Sequence, residues 1–250
     1  MFKRIALFIL LLSTNLFSKP FIIGTTSGYA PFVSLDEKGE YEGFDIDIAR
    51  EVSRKLDRAF IIQDFGSMPS LMLALKQRKV DALIWGISIT KDREKSMEMI
   101  YYQGDKIDDV PLIFWNTIPQ TIKSLSALAT LKKPVCVEAG SYQEDIFKTC
   151  PEIPLKYFDN IDSVILDLKY GKSIASAIDP SLLPRFQSKY PNLTVLYLPL
   201  PEEMQSSGNG ICINQGDQEL ARKVRKAIEE LKEEGIIFQL EKKWGLRSDD

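Results

Sequence analysis

Short apolar runs and amphipathic segments alternate along the first part of the chain. Residues 21–26 and 59–65 are typical of strands, and residues 80–90 form a third apolar run that leaves the core. Between them, residues 44–57 and 68–79 place apolar side chains at helical spacing. This βαβαβ order predicts an α/β fold with an open, mostly parallel sheet and helices on both of its faces.

The same alternation restarts after about residue 110, which indicates a second α/β unit. No flexible linker separates the two units, so we expect two lobes joined by two crossing strands that act as a hinge, with a cleft between the lobes. The predicted division is a signal peptide at 1–18, a first lobe at 19–108, a second lobe at 109–205 and a return to the first lobe at 206–250.

The N-terminal residues have the pattern of a secretory signal peptide. Lys3 and Arg4 are basic, residues 5–12 are apolar, and Ser18 is a small residue at the expected cleavage position. The apolar run is too short to span a bilayer. We therefore expect an exported, soluble periplasmic protein that begins near Lys19, and a buried N-terminal strand stays open as the alternative.

Composition excludes several classes of function. The net charge is -3 and the chain contains no histidine. A basic nucleic-acid surface, a histidine triad and a histidine metal site are therefore not expected, and neither is a metal or another cofactor. Three cysteines leave at least one thiol free. Cys136 and Cys212 lie in apolar runs typical of buried strands, and a Cys136–Cys150 disulfide stays open.

A polar segment follows the third apolar run directly. Thr90 can cap a helix that begins at Lys91, and Arg93 lies in the first turn of that helix. A cation there opposes the helix dipole, whereas a bound carboxylate would accept a bidentate pair from the guanidinium. Ser88 adds a hydroxyl, and Gly86 allows a ligand to approach the backbone. The alternatives are an anion site and an ordinary surface arginine.

Two further strand ends carry polar residues. Asp179 follows an apolar strand, where open α/β sheets bind ligands, and it can hold an ammonium group or cap a helix or turn. Glu138 ends another strand just before a turn at Gly140 and Ser141, which can present N–H groups to an anion.

Aromatic residues near the strand ends of the first unit complete this pattern. Tyr29 and Trp85 can stack on a flat or apolar part of a ligand, or they can belong to the core. An arginine on one lobe and an aspartate on the other match the charges of a zwitterion. The pattern therefore favours a free α-amino acid as the ligand.

The sequence resembles the polar amino-acid-binding proteins of ABC importers, which belong to the solute-binding protein family 3. The resemblance runs through nearly the whole mature chain in the same motif order. It rests on the segments "GYAPF", "GEYEGFDIDIAREVSRKL", "LALKQRKVDALIWGISITKDRE" and "GICINQGDQELARKVRKAIEELKEEGIIFQLEKKWG".

The resemblance implies a type II periplasmic-binding-protein-like fold that closes around its ligand, and a permease in the inner membrane as partner. It implies that Arg93 clamps the ligand carboxylate, that Gly86 and Ser88 bind the carboxylate or amino group, and that Asp179 takes the α-ammonium. The aromatic ring of Tyr29 packs on the ligand side chain. Further positions implied to line the cleft are Met68, Glu138, Ser141, Tyr142 and Gln143.

Some positions depart from the family pattern. The usual stretch before the hinge is replaced by "YYQGD", and the usual aromatic before the second helix is Met68. Members that bind basic amino acids often carry an acidic residue at the position of Thr26. A cationic ligand would therefore need another partner, and Glu138 is the candidate, with Trp85 able to stack on a guanidinium. We expect arginine, or another basic amino acid, as the ligand.

Two rival functions stay open. Some proteins of this fold are cyclohexadienyl or arogenate dehydratases, and Glu138 could serve as the acid in such an enzyme. Arg93 together with Asp179 favours amino-acid binding, so no enzymatic activity is expected. A ligand sensor that feeds a signalling partner is the other rival. We expect a monomer.

Overall fold

The computed structural model describes residues 19–247, and the predicted signal peptide at 1–18 lies outside the described residues. The chain first forms one mixed sheet with flanking helices. These elements are β1 (Phe21–Thr25), β2 (Ser34–Leu35), β3 (Tyr41–Glu42), α1 (Phe44–Lys55), β4 (Phe60–Asp64), α2 (Met68–Lys76), β5 (Ala82–Leu83) and β6 (Met97–Gln103).

The chain then crosses into a second sheet. Its elements are β7 (Asp109–Trp115), β8 (Val135–Glu138), α3 (Tyr142–Lys148), β9 (Leu155–Phe158), α4 (Ile161–Lys169), β10 (Ala175–Ala177), α5 (Leu183–Lys189) and β11 (Leu193–Pro199). After a second crossing the chain returns to the first sheet as β12 (Asn209–Asn214), followed by α6 (Gln218–Glu233) and α7 (Ile236–Lys243).

The two sheets have related strand orders. The first runs β4-β1-β5-β12-β6 and the second runs β11-β7-β10-β8-β9. Within each sheet the β-strands of the βαβ units pair in parallel, as predicted. The strands next to the crossings, β6, β7, β11 and β12, pair antiparallel, so the sheets are mixed rather than mostly parallel.

The helices bury the faces that the sequence pattern predicted. Phe44, Ile48 and Val52 are fully buried on one side of α1. In α6 the apolar side chains from Leu220 to Leu231 are buried at helical spacing, and the carboxylate of Asp217 accepts a hydrogen bond from the Leu220 N–H at 3.1 Å. These buried faces pack the helices against the first sheet, which keeps its strand ends in place around the site.

Two segments, 104–108 and 200–208, connect the sheets, and the second contains a 3-10 turn at Glu202–Met204. They run side by side, since the Ile107 N–H donates to the Ser206 carbonyl at 2.9 Å and the Ser206 N–H donates back at 3.1 Å. This pair of crossing segments is the hinge expected from the sequence.

The structure also tests the predictions about the cysteines and about membrane-spanning helices. Cys136 is buried in β8 and Cys212 in β12, as predicted. These two cysteines and Cys150 are all free thiols. The disulfide between Cys136 and Cys150 that the sequence left open does not form. Among residues 19–247, no helix is both long enough and apolar enough to cross a bilayer.

Candidate functional site

The site lies where the strand ends of the two sheets face each other. Glu138 is the last residue of β8, and Asp179 follows β10 by two residues. From the other lobe, Trp85 and Gly86 follow β5, and Tyr29 lies in the loop after β1. This is the carboxyl edge of the parallel strands, the usual place for ligands in open α/β sheets.

Arg93 extends from the first lobe to the second. Its guanidinium donates from Nη1 to the Ser88 carbonyl at 3.1 Å and from Nη2 to the Gly140 carbonyl at 3.0 Å. Nη2 also lies 3.5 Å from Oδ2 of Asp145, and the residue is only 8% exposed. A buried guanidinium with planar, forked donors can hold a carboxylate in a bidentate pair.

The prediction that a helix begins at Lys91 is wrong. The hydroxyl of Thr90 does accept a hydrogen bond from the Arg93 N–H, at 3.2 Å, but only a 3-10 turn follows, Arg93–Lys95. The chain then enters β6 at Met97, which leaves no room for a helix. Any anion binding here therefore depends on the guanidinium and not on a helix dipole.

Asp179 combines the two alternatives that the sequence left open. Its Oδ1 accepts a hydrogen bond from the Ser181 N–H at 2.9 Å and so caps the 3-10 turn Pro180–Leu182. The residue is only 7% exposed, and burial raises the pKa of its carboxyl, although the Ser181 hydrogen bonds lower it. The second oxygen remains available for an ammonium group, so capping does not exclude ligand binding.

Tyr29 lies among the charged groups of both lobes. Burial raises the pKa of its phenol, and the carboxylates of Asp179, Glu138 and Asp45 raise it further, while Arg93 lowers it. Its ring centroid is 5.1 Å from that of Trp85. Four ionisable groups therefore act on one aromatic ring, and three of them are carboxyl groups while one is a guanidinium.

Glu138 is a buried carboxylate without a partner. It is 8% exposed, and its carboxylate takes part in no hydrogen bond or ion pair within residues 19–247. Burial raises the pKa of this carboxyl to about 8, with a further contribution from the negative charges of Asp159 and Asp162. An unpaired buried carboxylate is costly, and a ligand cation would relieve the cost.

Trp85 presents a second unsatisfied group. Its Nε1–H is buried and has no acceptor among the described residues. Since most buried polar groups in native proteins are hydrogen-bonded, an orphan donor beside Tyr29 is an unusual feature of this cleft.

The remaining predicted residues lie around these groups with different contacts. Ser141 caps α3 by accepting a hydrogen bond from the Glu144 N–H at 3.1 Å, and the Tyr142 hydroxyl donates to the Met204 carbonyl near the hinge. Met68 packs so close to Gly140 that a Cβ at position 140 would lie 3.0 Å from Met68 Cγ. Gln143 is half-buried in the first turn of α3, and no described contact connects it to the other predicted residues.

Comparison with known proteins decides the family. Residues 21–247 match the bacterial extracellular solute-binding proteins, family 3. The chain belongs to this family. The resemblance stated from the sequence and the two-lobe fold that it implied are therefore confirmed.

Individual family 3 proteins resemble the chain over most of its length. A probable ABC transporter arginine-binding protein, ArtJ of Chlamydia trachomatis, is 36% identical over 231 residues, which cover 92% of this chain and 88% of ArtJ. The arginine-binding extracellular protein ArtP of Bacillus subtilis is 27% identical over 90% of this chain and 86% of ArtP. A crystal structure of an ArgBP mutant from T. maritima superposes with a TM-score of 0.78 at 26% identity, over 91% of this chain and 95% of that one.

Two residues of this family 3 cleft were missed by sequence reasoning. Asp145 approaches Arg93 from the other lobe, and Asp45 is fully buried behind Gly86. Asp45 lies in the "GFDID" run that carried part of the resemblance, so a signal existed. Asp145 left no such signal, because its contact depends on how the lobes meet.

Proposed function

We propose that this chain is the extracytoplasmic binding component of an ABC importer and that it binds arginine or another basic L-amino acid by closure of its two lobes. The observation that carries this proposal is the buried carboxyl group of Glu138, which has no hydrogen-bond or ion-pair partner within residues 19–247. Relatives named as arginine-binding proteins support it. The proposal includes a periplasmic location, an inner-membrane permease as partner and a monomeric protein.

The α-amino acid part of the ligand would be held by Arg93 and Asp179. Arg93 is buried, and its fork of donors suits a carboxylate. Asp179 is buried at the opposite lobe, and among residues 19–247 no group donates a hydrogen bond to its Oδ2. Every α-amino acid carries both charges, so this pair supports amino-acid binding but does not select a side chain.

The ligand side chain would be selected by Glu138. Among residues 19–247, no lysine or arginine pairs with Glu138, Asp179 or Asp45, and Arg93 is the one cation among the charges that act on Tyr29. Burial raises the pKa of all three carboxyl groups, and a guanidinium or ammonium in the ligand side chain would favour their ionised form, whereas a neutral side chain would not. Charge balance therefore favours a basic amino acid.

The other predicted cleft residues complete this proposed site. Tyr29 and Trp85 would form its aromatic wall, and Gly86 and Ser88 would contribute backbone and hydroxyl groups. Contacts from the second lobe would come from Ser141, Tyr142 and Gln143. Met68 of the first lobe would lie at the edge of the site.

Closure would occur at the hinge between two bodies, one formed by 19–108 with 206–250 and the other by 109–205. Contacts between them include Arg93 with the Gly140 carbonyl and Arg185 with the Ala30 carbonyl, at 3.0 and 3.3 Å. Such contacts form only when the lobes meet, and a ligand held by both lobes would favour this state.

A thermal-shift screen against the twenty amino acids tests the proposal. A ligand that binds only the folded form at 100 times its Kd adds about 2.7 kcal/mol to stability. We expect the largest shift with arginine or lysine and a smaller one with glutamine. Equal shifts for neutral and basic amino acids, or no shift with any of them, would reject the proposal.

A further inference from the structure

Asp45 has no role in the site as described so far, although it is the most completely buried charged group beside the site. It has 0% exposure, in the first turn of α1. Its Oδ2 accepts a hydrogen bond from the Gly86 N–H at 2.7 Å, and its Oδ1 accepts one from the Tyr102 hydroxyl, also at 2.7 Å. The carboxylate therefore joins α1 to the turn after β5 and to β6.

Capping of its own helix does not account for this side chain. Helix α1 has Gly43 at its N-cap and no side-chain cap, and the Asp45 oxygens bond to groups outside the helix. The helix dipole favours a negative charge in the first turn. Burial nevertheless raises the pKa of this carboxyl to about 7, even though the hydrogen bonds from Tyr102 and Gly86 lower it. The fold therefore keeps a carboxyl group at a position where burial disfavours its charged form.

The turn that Asp45 holds is tightly constrained. Gly86 has a φ of +54°, and a Cβ built there would lie 2.8 Å from Cε1 of Tyr29. Asp45 also contacts the loop of Tyr29 through its backbone, since its N–H donates to the Phe32 carbonyl at 3.0 Å. The Tyr29 loop and the Gly86 turn, two of the segments that would contact the ligand from the first lobe, are therefore attached to the same residue.

We propose that Asp45 is a positioning residue for ligand recognition: its carboxylate fixes the Gly86 turn against the Tyr29 loop, so that the segment from Gly86 to Arg93 is held in its binding geometry. This inference rests on the proposed function of the cleft. Asp45 does not contact the ligand, so it sets affinity for all amino acids and not the choice among them.

The test compares Asp45→Asn and Asp45→Ala with a matched control, Asp167→Asn. Asp167 is also a buried carboxylate, and it accepts hydrogen bonds from Lys156 and Ser173. It lies in α4 of the second lobe, near the start of β10 and therefore at the sheet end opposite the cleft. Calorimetry measures the affinities for arginine and glutamine, and urea unfolding without ligand measures stability. The control shows what loss of a buried carboxylate does to stability alone.

We expect Asp45→Ala to weaken both ligands about tenfold and Asp45→Asn about threefold, because hydrogen bonds to charged groups are stronger than neutral ones. The arginine-to-glutamine ratio should not change, and Asp167→Asn should bind like wild type. If Asp45→Ala does not fold, the near-isosteric Asp45→Asn decides.

Three results would overturn the inference: wild-type affinity in the folded Asp45 variants, an equal loss in Asp167→Asn, or a changed arginine-to-glutamine ratio. Failure of the proposed function has a separate signature in wild type, which would then bind neither amino acid or bind arginine and glutamine equally well.

Discussion

The two ends of the cleft differ in how their polar groups are satisfied. At the end assigned to the amino and carboxyl groups, Arg93 and Asp179 already bond protein groups, the Ser88 and Gly140 carbonyls and Ser181. At the end assigned to the side chain, the Trp85 Nε1–H is buried without an acceptor, and the 8% exposed Glu138 carboxyl group has no partner among the described residues. Protein groups bond the polar side chains at one end, whereas at the other end a ligand can supply the missing partners.

This difference relates affinity to specificity. Groups that are held by the protein keep their geometry and bind what all amino acids share. A buried group without a partner penalises every ligand that fails to pair with it, which is how a site rejects near-isosteric molecules. The organised end should therefore determine whether an amino acid binds, and the unsatisfied end should determine which one.

The largest expected effect comes from the organised end. Arg93→Ala should weaken arginine, lysine and glutamine alike by about 30-fold or more, because losing one partner of a desolvated charge pair typically costs about 2–5 kcal/mol. Calorimetry measures the loss. Lys95→Ala is the control, since Lys95 is exposed on the same turn and, within the part of the chain that the structure describes, forms its ion pair with Asp92. Near wild-type affinity in Arg93→Ala would contradict the carboxylate assignment.

A smaller loss is expected at Asp179, where the protein supplies part of the hydrogen bonding. Asp179→Asn keeps the shape and removes the charge, so it should weaken all amino acids by a similar factor of about ten. Ser181→Ala removes the hydroxyl donor and leaves the carboxylate, and it should have little effect on affinity. A change in the preference among side chains would place Asp179 at the other end of the cleft.

The remaining prediction concerns stability without ligand, rather than affinity, and its dependence on pH. Burial raises the pKa of Glu138 from about 4.5 to about 8, and Asp159 and Asp162 contribute, with Tyr29 facing it from the other lobe. Between these values the folded state holds a proton that the unfolded state has lost. The stability that Glu138 contributes is therefore present below about pH 4.5 and is lost as the pH rises through about 8.

Urea unfolding of wild type and Glu138→Gln at pH 5.5 and pH 8.5 measures this effect. Relative to the Gln variant, wild type should lose about 2 kcal/mol over this interval, near the usual cost of an unsatisfied buried polar group. The titration of Asp45 is common to both proteins and cancels in the difference. A constant difference between the two proteins at both pH values would mean that Glu138 is paired or solvated.

Much of the fold follows from periodicity. The buried faces of α1 and α6 were predicted because a 3.6-residue repeat determines which side of a helix faces the sheet. The strand predicted at 80–90 was too long, since Ala82–Leu83 is the strand and only an isolated bridge from Ser88 to Asn209 follows it. The apolar residues between them are buried where the chain bends, and burial alone does not require strand pairing.

The site was less accessible to sequence reasoning. Thr90, Arg93 and Asp179 were found because polar residues after apolar strands mark the ligand edge of an α/β sheet. The contact of Arg93 with Gly140 and the absence of a partner for Glu138 depend on how two distant segments meet. Such relations leave no local pattern, so the helix predicted at Lys91 was wrong although the residues proposed around it come together.

The central claim is that the Glu138 carboxylate selects a cationic side chain, and a ligand pair tests it most directly. Citrulline has the shape of arginine with a neutral ureido group. Calorimetry should give wild type at least about 30-fold tighter binding of arginine than of citrulline, and Glu138→Gln should reduce that ratio to about threefold or less. The same arginine-to-citrulline ratio in wild type and Glu138→Gln would contradict the account.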